Sequence, residues 1–202
     1  MKDIVFDFGG VLIDWNPRYL YQKVFASTDE MEGFLGQICT PQWNAQLDTG
    51  RTFAECAALL KKEHPEYSAQ IEFYFSRWEE MLGGAIQGTP EILTDLKARG
   101  YRVFGLTNWS AETFPITYKR FGFLHLLDGI VVSGDEKLAK PGAEIFEVLL
   151  KRFGLNAPNC VFIDDSAQNI STARQLGFET IVFTDATRLV KELSALGIET
   201  LS

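Results

Sequence analysis

The run Ile4-Val5-Phe6-Asp7-Phe8-Gly9-Gly10-Val11-Leu12 constrains the fold more than any other stretch. A short apolar segment rich in Val, Ile and Phe leads into a carboxylate, then into two glycines. Such a segment, closed by glycine, reads as a strand buried on both faces, the habit of strands in parallel sheets. Open parallel sheets bind ligands at the carboxyl ends of their strands, and Asp7 stands at such an end. Gly9 and Gly10 give the next turn the backbone freedom to bring amide groups close to a ligand.

The stretch Ile13-Asp14-Trp15-Asn16-Pro17 reads as a turn-rich exit, with Pro17 suited to a helix start. From there to about Gly84 apolar residues fall at helical spacing, as in Tyr19, Leu20, Val24 and Phe25, then Phe53, Cys56, Ala57 and Leu60. Thr52 with Glu55 forms a capping box, and Met31 with Phe34 and Leu35 marks another amphipathic helix. No strand is expected in this block. After Gly83-Gly84 strands and helices alternate. Strands are expected over 101–107, 129–132, 160–163 and 180–183. Helices are expected from Thr89 to about Gly100, over 111–121 with a disturbance at Pro115, from Pro141 onward, and over 168–176 and 187–196. The expected fold is therefore α/β. A doubly wound parallel, Rossmann-like sheet is built from 1–14 and 85–202, and 15–84 is an all-helical insert.

Composition narrows the function classes. The chain has 202 residues, 46% of them hydrophobic, enough for one large domain or one domain with an insert. A net charge of −8 without a basic stripe argues against nucleic acid and anionic membrane as partners. Cys39, Cys56 and Cys160 form neither a metal pattern nor a disulfide framework, so a reducing compartment is expected. The N-terminus enters the first strand directly, without a leader or a membrane span, and a cytoplasmic location follows as the expectation. No segment specifies an oligomeric state.

Polar groups collect at four strand ends: Asp7, Thr107-Asn108, Lys140 and Asp164-Asp165. In a parallel sheet these ends share one edge. Facing carboxylates repel unless a cation or proton compensates, and an oxygen-rich set without Cys or His suits Mg²⁺. A lysine and a hydroxyl beside them would bind the oxygens of a phosphate. Carboxylate nucleophile, metal and lysine together describe phosphoryl transfer through an aspartyl-phosphate.

The order of these motifs resembles the haloacid dehalogenase-like hydrolase superfamily over essentially the whole chain. The strand with Asp7 looks like its first motif, Leu106-Thr107-Asn108 its second, Lys140-Pro141 its third and Val161-Phe162-Ile163-Asp164-Asp165 its fourth. The helical insert looks like the family's small cap. The resemblance implies a hydrolase in which Asp7 accepts the phosphoryl group and binds Mg²⁺ with the Gly9 carbonyl and Asp165. Asp164 would stand close by or act through water. It also implies that Thr107 and the amide of Asn108 hold phosphate oxygens, and that Lys140, rather than Lys137, neutralises them. Trp109 would wall the substrate pocket. Trp43, Asn44 and Gln46 belong to the cap, where Trp43 reads as core packing. His64 and His125 read as isolated packing or surface residues.

One position departs from the pattern. Most phosphatases of the family carry an acid two residues after the nucleophile, where this chain has Gly9. The family's sugar-phosphate phosphatase branch includes members with a similar Asp-x-Gly start. The leading expectation is thus a Mg²⁺-dependent phosphatase of a small phosphorylated metabolite, a sugar phosphate among the candidates. Asp14 is the nearest spare carboxylate for the missing acid, and a turn or N-cap role is its plainer explanation. The alternatives are a 2-haloacid dehalogenase, which also lacks the second acid but needs no metal, and a non-catalytic binding protein on the same fold.

Overall fold

The computed structural model describes residues 1–200. Its strands are β1 (Asp3–Phe6), β2 (Ile13–Trp15), β3 (Leu82–Ala85), β4 (Val103–Thr107), β5 (Gly129–Val132), β6 (Cys160–Asp164) and β7 (Glu179–Val182). Five of them form one parallel sheet in the order β5-β4-β1-β6-β7. The chain runs outward from β1 through β4 to β5, then returns to β6 on the other side. The strand order therefore reverses between β1 and β6, and the crevice at that reversal is where such sheets place their ligands.

Between β2 and β3 lie α1 (Arg18–Tyr21), α2 (Thr28–Gln37), α3 (Pro41–Asp48), α4 (Phe53–Glu63) and α5 (Ser68–Ser76). The remaining helices are α6 (Thr89–Ala98), α7 (Phe114–Arg120), α8 (Ser133–Glu136), α9 (Ala143–Phe153), α10 (Ala167–Gln175) and α11 (Ala186–Ala195). Side chains alternate across the sheet with period two. Ile4, Phe6, Val161 and Ile163 point to the face covered by Ile92, Leu93 and Leu96 of α6 and Leu189 and Leu193 of α11. Val5, Phe104, Leu106 and Phe162 meet Ile145, Phe146 and Leu149 of α9 and Ile170 and Ala173 of α10. The expected doubly wound sheet is present, buried on both sides. No helix of the described residues is long and apolar enough to cross a membrane.

Gly105 shows how tightly the centre is filled. A Cβ there would lie 2.6 Å from Cε1 of Phe8, whose ring is fully buried. Gly105→Ala should therefore lower stability by about 1–3 kcal/mol through overpacking, read as a drop in the denaturant midpoint.

Two local expectations change. The supposed exit turn and the Gly83-Gly84 return are strands β2 and β3, paired antiparallel with a register shift between Asp14 and Trp15. Strands of three and four residues, one containing two glycines, carry no readable alternation. The ribbon closes tightly because Gly83 lacks a side chain: a Cβ would meet Asp14 and lie 2.7 Å from the Tyr19 ring. The helix expected over 111–121 starts only at Phe114, with Pro115 in its first turn. A proline at that position begins a helix rather than disturbing one.

Candidate active site

At the reversal between β1 and β6, Lys140 is buried with two carboxylates. Its Nζ lies 2.9 Å from Asp7 Oδ1 and 2.7 Å from Asp164 Oδ2, and 5.3 Å from the centre of the Phe162 ring. Asp7 also accepts a hydrogen bond from the Phe8 N–H at 2.7 Å. Asp164 is engaged on both oxygens: Asn169 Nδ2 donates to each at 3.0 Å, and the Ser166 N–H donates to Oδ1 at 2.8 Å. Asp165 is exposed and lies against the Gly10 turn. Gly10 has φ +79°, and a Cβ on it would sit 2.8 Å from Asp165 Cγ, so only glycine lets this carboxylate approach. Asp7, Asp164 and Asp165 each bring an oxygen within 4.8 Å of the others.

Thr107 ends β4 beside β1. It is fully buried, and its Oγ1 has no hydrogen-bond partner. A buried hydroxyl without a partner costs free energy unless a ligand satisfies it. The Asn108 side chain holds the backbone of Lys140, donating to its carbonyl and accepting from its N–H, both at 2.9 Å. Lys137 stands apart, in the left-handed region at φ 58° with its stem over Gly50. The structure thus brings Asp7, Lys140, Asp164 and Asp165 together and leaves Lys137 out.

Next to this cluster lies a cavity of about 130 Å³ between the sheet end and the helical segment, reached through Gly9 and Asn108 rather than lined by Asp7, Lys140, Asp164 or Asp165. Gly9, Asn108, Trp109, Ser110 and Thr113 line it from below, and Trp15, Asn44, Asp48, Phe53 and Trp78 from above. The Trp109 N–H donates to Ser133 Oγ at 2.9 Å, and its ring packs edge-on against Trp78 at 5.7 Å. Of the residues of the helical segment singled out in the sequence, Asn44 lines the cavity. Trp43 packs against Tyr74 and Phe53, and Gln46 accepts from Arg51 Nη1. Asp14 accepts from the Tyr19 hydroxyl at 2.6 Å and is not among the cavity's lining residues. His64 caps the end of α4, and His125 packs on Tyr118. Sequence reasoning missed Asp48, Phe53 and Trp78. Asp48 had a usable signal, since it follows Asn44 by four residues and so shares its helix face.

The electrostatics follow from burial. Loss of water pushes Asp7 up to about 7, Lys140 pulls it down, and Asp164 pushes it up. Burial alone would lower Lys140, but Asp7 and Asp164 outweigh it and hold the ammonium above its ordinary value. Burial, then Asp164, raises Asp165. Burial likewise raises Asp48, to about 7. Three carboxylates face one lysine, so full ionisation leaves negative charge that a divalent cation would offset. An all-oxygen donor set without His or Cys fits magnesium.

The raised Asp7 gives a stability prediction. Between its unfolded value near 4 and its folded value of about 7, the folded protein binds more protons than the unfolded chain. Asp7 therefore stabilises the metal-free protein most at acidic pH, and that contribution is lost as pH rises through about 7. Melting curves of wild type and Asp7→Asn across this range should show a fall in wild type that the variant lacks.

Known proteins resemble this chain over nearly its whole length. Residues 4–183 match the family model described as haloacid dehalogenase-like hydrolase. The sesquiterpene phosphatase astK of Aspergillus oryzae is 28% identical over 196 residues, 96% of each chain. Two further curated relatives are longer proteins, of which the chain spans 36% and 19%. Among solved structures, a HAD family enzyme of Bacteroides thetaiotaomicron superposes with a TM-score of 0.76 at 22% identity, covering 96% of this chain and 98% of that one. That enzyme was also crystallised with magnesium and inorganic phosphate. The L-2-haloacid dehalogenase of Xanthobacter autotrophicus superposes with a TM-score of 0.65 at 14% identity, covering 98% of this chain and 84% of that one. The chain belongs to the haloacid dehalogenase-like hydrolase family.

Proposed function

We propose that this hydrolase is a magnesium-dependent phosphatase of a small phosphate monoester, working through an aspartyl-phosphate on Asp7. The observation that carries the reading is the excess of carboxylate over lysine at the end of β1 and β6, beside the unpartnered hydroxyl of Thr107. A dehalogenase using Asp7 alone leaves Asp165 without a task. Asp7, the Gly9 carbonyl and Asp165 would hold the ion, while Asp164, already saturated, fixes Lys140. Bound there, magnesium supplies charge compensation for the phosphate and for Asp7.

The chain's own residues do the rest. Asp7 attacks phosphorus as the bond to the leaving oxygen breaks, and water then attacks the same phosphorus and returns Asp7 to a carboxylate. Lys140 neutralises the phosphate oxygens and keeps Asp7 ionised. Thr107 and the backbone amide of Asn108 donate to the phosphate. The helical segment acts as a cap, excluding water above the reacting centre. Trp15, Phe53, Trp78 and Trp109 give the leaving group apolar walls, and Asn44 and Ser110 offer polar contacts. A compact leaving group with one apolar face fits this lining. A sugar phosphate and a short isoprenoid phosphate are the two classes to compare, and the likeness to a sesquiterpene phosphatase supports the second.

Phosphate release from an aryl phosphate, a sugar phosphate and an isoprenoid phosphate, with magnesium and with a chelator, tests the reading. Metal-dependent release supports it. Halide release from a 2-haloacid without phosphate release would favour the dehalogenase. Trp109→Leu should raise KM for the preferred ester about 10-fold while changing kcat less, since it removes aromatic wall rather than reacting groups.

A further inference from the structure

Gly9 leaves the leaving group without a proton donor at the expected place, and the space there is open. A Cβ on Gly9 would meet only Cζ3 of Trp109, at 3.8 Å. The cavity in front of Gly9 is closed from the other side by α3, and Asp48, the last residue of that helix, lines it. Asp48 is the one carboxylate among the lining residues. We infer that Asp48 of the cap is the general acid and base of the reaction, a role that rests on the phosphatase reading.

Three features of the structure equip it. First, its carboxyl is held: Asn44 Nδ2 donates to Asp48 Oδ2 at 3.2 Å, and the Tyr74 hydroxyl donates to Asn44 Oδ1 at 2.9 Å. Tyr74 thereby fixes which end of the Asn44 amide faces Asp48, leaving Oδ1 of Asp48 to carry a proton. Second, the turn after Asp48 is pinned to the sheet domain, where the Phe53 N–H donates to Glu112 Oε2 at 2.6 Å. The place of Asp48 on the cavity that Gly9 also lines is thus tied to the packing of the helical segment on the sheet. Third, burial raises the carboxyl into the range where it holds a proton near neutrality and can release it. Asp14, the other candidate, is tied to Tyr19 outside the cavity.

The proton balance closes over the two half-reactions. As Asp7 forms its bond to phosphorus and the ester bond breaks, the proton of Asp48 passes to the leaving oxygen. The resulting Asp48 carboxylate then takes a proton from the water that attacks the phosphorus of the aspartyl-phosphate, restoring the acid.

Leaving-group dependence separates this role from a structural one. Dinitrophenyl phosphate expels an oxygen that needs no proton, whereas an alkyl phosphate needs one. Asp48→Asn should lower kcat/KM for the alkyl ester about 10²–10³-fold and leave dinitrophenyl phosphate within about 3-fold. If both esters slow equally, or neither slows, the assignment is overturned. Should Asp48→Asn lose its cooperative melt, Asp48→Ser is read by the same comparison. A wild type that releases phosphate from neither ester overturns the phosphatase reading and the role of Asp48 with it. An active wild type with an unchanged pattern in the variant overturns Asp48 alone.

Discussion

Asp7→Asn should abolish phosphate release, lowering kcat at least about 10³-fold, while the protein melts at the same temperature or higher near neutral pH. The loss follows from chemistry. A carboxamide offers no oxygen able to form the acyl-phosphate, and the charge that would hold a metal and that faces Lys140 disappears with it. The gain in stability follows from burial. In the protein alone Asp7 is costly to ionise, because it is out of water and faces Asp164 across a single lysine. Asparagine keeps the shape and an acceptor for the Phe8 N–H without that cost. Activity and melting temperature moving in opposite directions identify a residue retained for function. A joint fall would instead make Asp7 a structural group. Steady-state kinetics and melting curves on one preparation decide between them.

Lys140→Met should be damaging on both counts. The methionine fits the buried stem position against Phe162, but Asp7 and Asp164 lose the cation that lies within 2.9 Å of both. Removing one partner of a buried ion pair costs about 3–5 kcal/mol, because the remaining charge is left uncompensated. Without the ammonium the Asp7 carboxyl rises further, so the protein recovers part of the loss by protonating it. The destabilisation should therefore be larger at about pH 8 than at about pH 6, as read from urea midpoints. Turnover should fall at least about 10²-fold even where the variant stays folded, since the phosphate charge is no longer matched. An equal loss of stability at both pH values would mean that Lys140 acts through packing rather than charge.

The fold was legible because its strands are short, apolar and closed by turn residues. Ile4 to Phe6, Val103 to Leu106 and Cys160 to Ile163 each read as buried on both faces, and alternation with amphipathic helices left one architecture. The cluster of Asp7, Lys140, Asp164 and Asp165 was legible for a related reason. A charged residue directly after a run of buried apolar ones needs a partner, and strand ends of a parallel sheet converge. The β2–β3 ribbon was hidden because its few residues and its Gly83-Gly84 pair carry no periodicity. Asp48 carried one signal, the helix face it shares with Asn44, but its place at the cavity is set by tertiary packing. On α3 it follows the pattern of an ordinary polar helix end, and only the packing of the helical segment on the sheet puts it on the cavity that Gly9 also lines. Phe53 falls at helical spacing like a core aromatic; it and Trp78 are buried, yet both line the cavity.

The central claim is that Asp7 attacks phosphorus, and one turnover in heavy-oxygen water tests it most directly. Enzyme in excess over its phosphate ester is quenched in acid at short times, and the released phosphate and the peptide containing Asp7 are weighed. Attack of Asp7 on phosphorus, followed by water on the same atom, places the heavy oxygen in phosphate and leaves the Asp7 carboxylate light. Early quenches should also yield the Asp7 peptide heavier by one phosphoryl group. Heavy oxygen in Asp7, or heavy phosphate with no phosphorylated Asp7 at any time, would contradict the mechanism.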